Sequence, residues 1–182
     1  DLYMEDVVSG VKNGTKMILP NNLYIWATMN TSDQSLFPID SAFKRRWDWK
    51  YVPISNAKLG WVVCVNGIRY DWWSFVEEIN KEIGDATHSE DKKLGYFFCR
   101  AKNDDNTISA DKFVGKVLFY IYNDVFRDYG FDRNIFKDEN DKENPVLMFK
   151  DFFMPDGKPR EEKIKVLMDN LHVKTEAEVA SV

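Results

Sequence analysis

The sequence is poor in the residues that build metal and redox sites. It has two cysteines and two histidines in 182 residues. Cys64 and Cys99 stand in apolar surroundings with no second Cys or His at metal-ligand spacing, so neither a zinc site nor a disulfide framework is indicated. A single disulfide is open by count alone, but compartment logic favours buried free thiols in a cytosolic protein. His88 and His172 are far apart and have no partners, which gives them no catalytic role. No run of about 18 apolar residues exists, so no membrane span is expected. No signal-peptide pattern is present, and a cytoplasmic protein is expected. Positive charge is also short: the net charge is −5, and nucleic-acid binding would need a local basic patch. Finally, no Gly-x-x-x-x-Gly-Lys-[Ser/Thr] loop is present, and no apolar strand ends in the paired acids that hold magnesium.

Aromatic and aliphatic residues are abundant. Hydrophobic residues make up 44%, with thirteen Phe, eight Tyr and six Trp, enough for a dense core and too many for a disordered tail. The length suits one sizeable domain, or a small domain plus part of another. The chain opens on "DLYMEDVVSGVKNGTKMILP", which reads as the interior of a longer protein, so a fragment is expected.

Local patterns divide the chain in two. Residues 1 to 19 hold a short amphipathic segment and the Asn13-Gly14 turn, and Asn21-Asn22 make a second turn. Leu23 to Met29 is near-continuously apolar, as in a strand covered on both faces of a parallel sheet. Residues 38 to 46 can form a short helix with Pro38 in its first turn, and Trp49 to Ile54 is a second candidate strand. From residue 55 the character changes. "WVVCVNGIRYDWW" predicts a hairpin around Asn66-Gly67. Asp71 can cap a helix carrying Trp72, Phe75, Val76, Ile79 and Ile83 on one face, with Gly84 at its end. Ser109 caps a long helix with Phe113, Val114, Val117, Leu118, Ile121 and Val125 on its buried side. "KDENDKENP" reads as a solvated loop. Pro159 opens a last helix through Ile164, Leu167, Met168 and Leu171, and the residues beyond about 175 are expected to fray.

The candidate chemistry lies in "LYIWATMNTSDQSLFPIDSAFKRRWDWKYVPI". In an open parallel sheet, ligands sit beyond the carboxyl ends of strands. The first strand would place Asn30 and Thr31 there. An Asn can orient a water or a phosphate oxygen without adding charge. The cations Lys44, Arg45 and Arg46 can neutralise a phosphate. Phosphoryl transfer asks the protein for little beyond positioning and charge. Taken singly, Asn30 and Asp33 also suit an ordinary turn, and Lys44-Arg45-Arg46 an ordinary helix end.

Taken together, this stretch closely resembles the second half of the nucleotide-binding core of AAA+ proteins. In particular it resembles the McrB-type GTPase/ATPase subunits of modification-dependent (5-methylcytosine) restriction systems. Their pattern is a strand, then Met-Asn-Thr-Ala-Asp-Arg-Ser, then Asp-x-Ala-hydrophobic-x-Arg-Arg-Phe. Met29, Asn30, Thr31, Asp33 and Ser35 match the first part, and Asp40, Ala42, Phe43, Arg45 and Arg46 the second. Ser32, Gln34 and Trp47 depart from it, and Gln34 puts the role of the family arginine at its position in doubt. The resemblance implies that Asn30 is sensor 1, holding the attacking water near a γ-phosphate. Asp33 steadies that loop or meets a neighbouring subunit, with Thr31 beside it. Arg45 or Arg46 is the arginine finger reaching into the next subunit's nucleotide. It implies an α+β architecture: residues 1–54 as the C-terminal strands and helix of an AAA+ α/β core, and residues 55–175 as a mainly helical lid with a small β-hairpin. Gly95, Tyr96 and Arg100, with Lys102, would be nucleotide-facing lid residues, although a core strand with a basic flank explains them equally well. GTP or ATP with magnesium would be the parent's cofactor. A ring of identical subunits, hexameric by analogy, and an McrC-like nuclease would be its partners, with DNA bound through other domains. The phosphate loop and acidic pair precede this region in the family, so the chain alone is expected to bind no nucleotide tightly. Two rival readings stand beside this one. One is a non-catalytic helical interaction module. The other is nucleic-acid binding by the hairpin through Trp61, Arg69, Trp72 and Trp73.

Overall fold

The computed structural model describes residues 2–19, 21–28, 40–102 and 104–181. They form two compact units, one ending at Arg46 and the other spanning Trp47–Val182. Among the described residues no helix is long and apolar enough to cross a membrane.

The first unit opens with helix α1, Leu2–Lys12. It stops where Gly14 takes φ 70° and the Gly10 carbonyl accepts from the N–H groups of both Thr15 and Lys16, at 2.8 and 2.9 Å. Asp6 and Lys16 form an ion pair across this end. The expected strand from Leu23 is not formed over residues 23–28: they carry no ladder, and Trp26 is 87% exposed. The reason is pairing. A strand's backbone groups need at least one paired neighbour to form a ladder, and no described segment supplies it. Residues 38 and 39 of the expected helix over 38–46 lie outside the described residues, and within 40–46 the helix is α2, Ser41–Lys44.

The second unit begins with residues 47–60, which have no regular structure. The expected strand from Trp49 to Ile54 likewise carries no ladder and is exposed. The hairpin is present: β1 (Val62–Val65) and β2 (Ile68–Asp71) pair antiparallel, with Val65 opposite Ile68. Asn66 and Gly67 take φ 50° and 73°, the two left-handed residues that a tight hairpin turn needs. Asp71 then accepts from the Ser74 N–H at 2.7 Å and caps α3, Trp72–Thr87. That helix runs past Gly84 and stops where His88 turns left-handed and donates its N–H to the Gly84 carbonyl at 2.9 Å.

A third strand escaped the sequence pattern. β3, Thr107–Ile108, pairs parallel with β1, giving the order β2-β1-β3. Ser109 then accepts from the Lys112 N–H and starts α4, a continuous helical rod over residues 110–125. Its stretches Phe113–Leu118 and Ile121–Val125 are wound as wider π turns. Helix α5, Glu161–Asn170, follows. The described part of the tail is helical over Glu176–Ala180. Thr175 and Glu178 form a reciprocal capping box that starts α6, Glu176–Ala180. Glu176 pairs with Arg69 of β2 at 2.6 Å, and Thr175 bridges to Tyr70.

One core fills this unit. Trp72, Phe75, Ile79 and Ile83 of α3 meet Phe113, Val117 and Ile121 of α4, Leu167 and Met168 of α5, and Val63 and Val65 of the sheet. Both cysteines are free, Cys99 fully buried and Cys64 partly. The loop expected to be solvated is largely exposed, with one exception: Asp138 is 2% exposed and bonds Lys163 at 2.7 Å.

Candidate functional site

Asn30, Thr31 and Asp33 lie outside the described residues. The arginine pair is described. Asp40 holds extended backbone and its carboxylate accepts from the Phe43 N–H at 2.7 Å, which satisfies one of the orphan donors at the start of α2. One turn later the Arg45 and Arg46 N–H groups bond back to the Ser41 and Phe43 carbonyls, each at 3.1 Å. The Asp-x-Ala-x-x-Arg-Arg spacing therefore makes a single capped turn that presents both arginines at its end. Both are exposed. Among the described residues neither guanidinium is engaged in an ion pair or hydrogen bond. Chemically, this is a rigid short mount for a planar, bidentate cation that has no internal partner.

The other expected residues belong to the second unit and divide between core and surface. Gly95 has ordinary extended backbone. Tyr96 is a core residue: its ring packs against Trp61 at 5.0 Å, Phe97 at 5.4 Å and Trp73 at 6.1 Å, and its carbonyl accepts from the Trp72 indole N–H at 2.7 Å. Burial pushes its phenol above the ordinary tyrosine value, against the backbone N–H groups of Trp61 and Leu59. Those contacts leave its ring no free face for a ligand. Asn80 fixes the segment by bonding both the N–H and the carbonyl of Leu94, at 2.7 and 2.9 Å. Arg100 is exposed, with its guanidinium 5.7 Å above the Phe97 ring. The sequence reading passed over two neighbours. Lys112 donates its ammonium to the Arg100 carbonyl at 2.5 Å, and the Lys116 ammonium sits 5.5 Å above Phe98. The i, i+4 spacing of these lysines on the outer face of a capped helix was the available signal.

The hairpin rival loses most of its aromatic side chains to packing. Trp72 is fully buried, and Arg69 is engaged by Glu176 and by the Thr107 hydroxyl.

The residues present do not make a nucleotide-magnesium site on their own. Among the described residues no group of three or more His, Cys, Asp or Glu is placed to hold a metal ion. The shallow basin beside Asp138, Asp141 and Glu162 is occupied by the Lys163 ammonium, which bonds Asp138 and Asp141 at 2.7 and 2.8 Å. Burial lowers the Lys163 pKa, but the two carboxylates outweigh it and hold the ammonium above its ordinary value. This basin is a structural clamp.

Comparison with known proteins gives one relative of use. The chain is 36% identical over 126 residues to the type II restriction enzyme BsuMI component YdiS of Bacillus subtilis (strain 168); the match covers 64% of this chain and 36% of that protein. The chain thus matches little more than a third of the relative's length. No family model matches the chain, and no solved structure matches it.

Proposed function

We propose that this chain is part of a subunit of a DNA restriction system, and that the whole subunit is an AAA+ NTPase of the McrB type. The observation that carries the reading is the mount of Arg45 and Arg46: two exposed arginines without internal partners, held at the end of a turn that Asp40 caps. Similarity to a restriction enzyme component supports the restriction role. The apolar stretches 23–28 and 49–54, which carry no strand ladder, also fit, because they suit strands of a larger sheet completed by other parts of the subunit.

In this reading Asn30 orients the attacking water, and Asp33 and Thr31 steady its loop. Arg45 or Arg46 neutralises charge on the nucleotide of the adjacent subunit. A guanidinium supplied from a neighbour contributes about three to five orders of magnitude in rate in such reactions. GTP or ATP with magnesium is the cofactor of the whole subunit, held by residues outside this chain. The 182-residue chain alone is expected to show no micromolar affinity for ATP or GTP by calorimetry. A ring of identical subunits and an McrC-like nuclease are the proposed partners.

Mixing variants of the full-length subunit provides the test. Asn30→Ala and Arg45→Ala (or Arg46→Ala) should each abolish most turnover while nucleotide still binds. Mixed together, the two variants should regain activity, because some seams then join an intact Asn30 to an intact arginine. Failure of every such mixture to recover turnover removes the trans-acting arginine from the proposal.

A further inference from the structure

The outer face of α4 combines three features that the fold itself does not explain. The first is unneutralised charge. Arg100, Lys112 and Lys116 converge on the segment 97–100 through the contacts given above, and none of them pairs with a described carboxylate. In a chain of net charge −5, such a local excess of cations is conspicuous. Asp111 and Asp124 are the acids on the same helix, and they leave it uncompensated.

The second feature is exposed aromatic surface in the same place. Phe97 is 54% exposed and Phe119, one turn beyond Lys116, is 49% exposed. The third is Gly115, between the two lysines. Its backbone is helical, and a Cβ added there would meet nothing within 4 Å. A glycine inside an exposed helix costs about 1 kcal/mol relative to alanine, and no packing contact within the molecule requires it. A bare stretch of helix flanked by two ammonium groups and an exposed ring suits the close approach of an external chain.

We propose that this face binds single-stranded nucleic acid, with Arg100, Lys112 and Lys116 on the phosphates, Phe97 and Phe119 as stacking surfaces, and Gly115 as the point of closest approach. Cations alternating with exposed rings are the chemistry that holds a single strand without reading its sequence. An acidic protein segment would use the cations but has no need of the rings. The proposal is independent of the NTPase reading.

The test is fluorescence anisotropy of a labelled 20-nucleotide oligothymidylate with the 182-residue chain, titrated at several salt concentrations. Binding should weaken with salt, with a log–log slope of roughly −2, as three phosphate contacts on a single strand require. Lys112→Ala/Lys116→Ala should weaken binding about tenfold or more without changing the melting temperature. Phe119→Ala should also weaken it. Gly115→Ala is the sharpest arm: it should raise the melting temperature and lower affinity at once, a combination that a purely structural glycine does not give. The proposal fails if the oligonucleotide does not bind at low salt. It also fails if binding is indifferent to the lysine and glycine substitutions, or if poly-glutamate competes as well as the oligonucleotide.

Discussion

At the scale of single residues, the most consequential interaction is the Lys163 clamp. Asp138 is a nearly inaccessible carboxylate whose partners are the Lys163 ammonium at 2.7 Å and the Asn140 N–H at 3.1 Å. Removing one member of a buried pair leaves an uncompensated charge and costs about 3–5 kcal/mol. Lys163→Met is therefore expected to destabilise the protein by about 3 kcal/mol in denaturant unfolding, and Asp141→Asn, which spares the buried pair, by far less. The acidic side of the pH profile has a definite sign. Asp141 is held below the ordinary carboxylate range by Lys163, Glu176 by Arg69, and Glu178 by the Thr175 N–H and hydroxyl. Depressed carboxylates contribute stability that is complete above their unfolded values and is lost as pH falls through the folded ones. Burial pushes Asp71 the other way, so its protonation offsets part of that loss. Unfolding midpoints measured from neutral pH into the acid range should fall, and Glu178→Gln should flatten the fall. The Lys163 clamp was not legible beforehand. Asp138 sits in a run of charges, and only the tertiary position of Lys163 shows which of them is buried.

Elements whose signals are local were legible, and those that depend on distant partners were not. The Asn66-Gly67 hairpin, the Asp71 cap and the buried faces of α3, α4 and α5 follow from turn chemistry and helical spacing, each contained within a few residues. β3 is two residues long and exists because β1 pairs with it across about forty residues of chain, a relation that no window of sequence displays. The stretches 23–28 and 49–54 show the converse: their composition favours strands, yet a strand forms only when its edges are met. The tail carried a readable Thr-x-x-Glu box that the expectation of fraying overlooked. Two measurements address these elements. Gly67→Ala places a Cβ at φ 73°, where an L-residue loses about 1–2 kcal/mol, and should lower stability by that amount. Thr175→Ala removes the α6 cap and should cost about 1 kcal/mol, with faster amide exchange confined to residues beyond about 174.

For the whole molecule, the distribution of burial decides what depends on what. Every member of the buried core cluster lies between Val63 and Val173, and within the second unit the stretch 47–56 has no regular structure and is largely exposed. Tyr24, Ile25 and Trp26 of the first unit, and Tyr51 and Val52 of the second, are strongly exposed. The sequence changes character near residue 55, where core-forming periodicity begins, while the compact units divide earlier, after Arg46. A chain beginning at Asn56 keeps Ala57, which packs on the core, and the Leu59 and Trp61 backbone donors to Tyr96. It should unfold cooperatively with a stability within about 1 kcal/mol of the 182-residue chain, since it keeps every member of the core cluster. It should also stay monomeric at concentrations where the longer chain associates. If the shortened chain instead unfolds or loses several kcal/mol in a denaturant titration, the first 55 residues hold the core together, and the apolar stretches are internal supports with no role as docking strands.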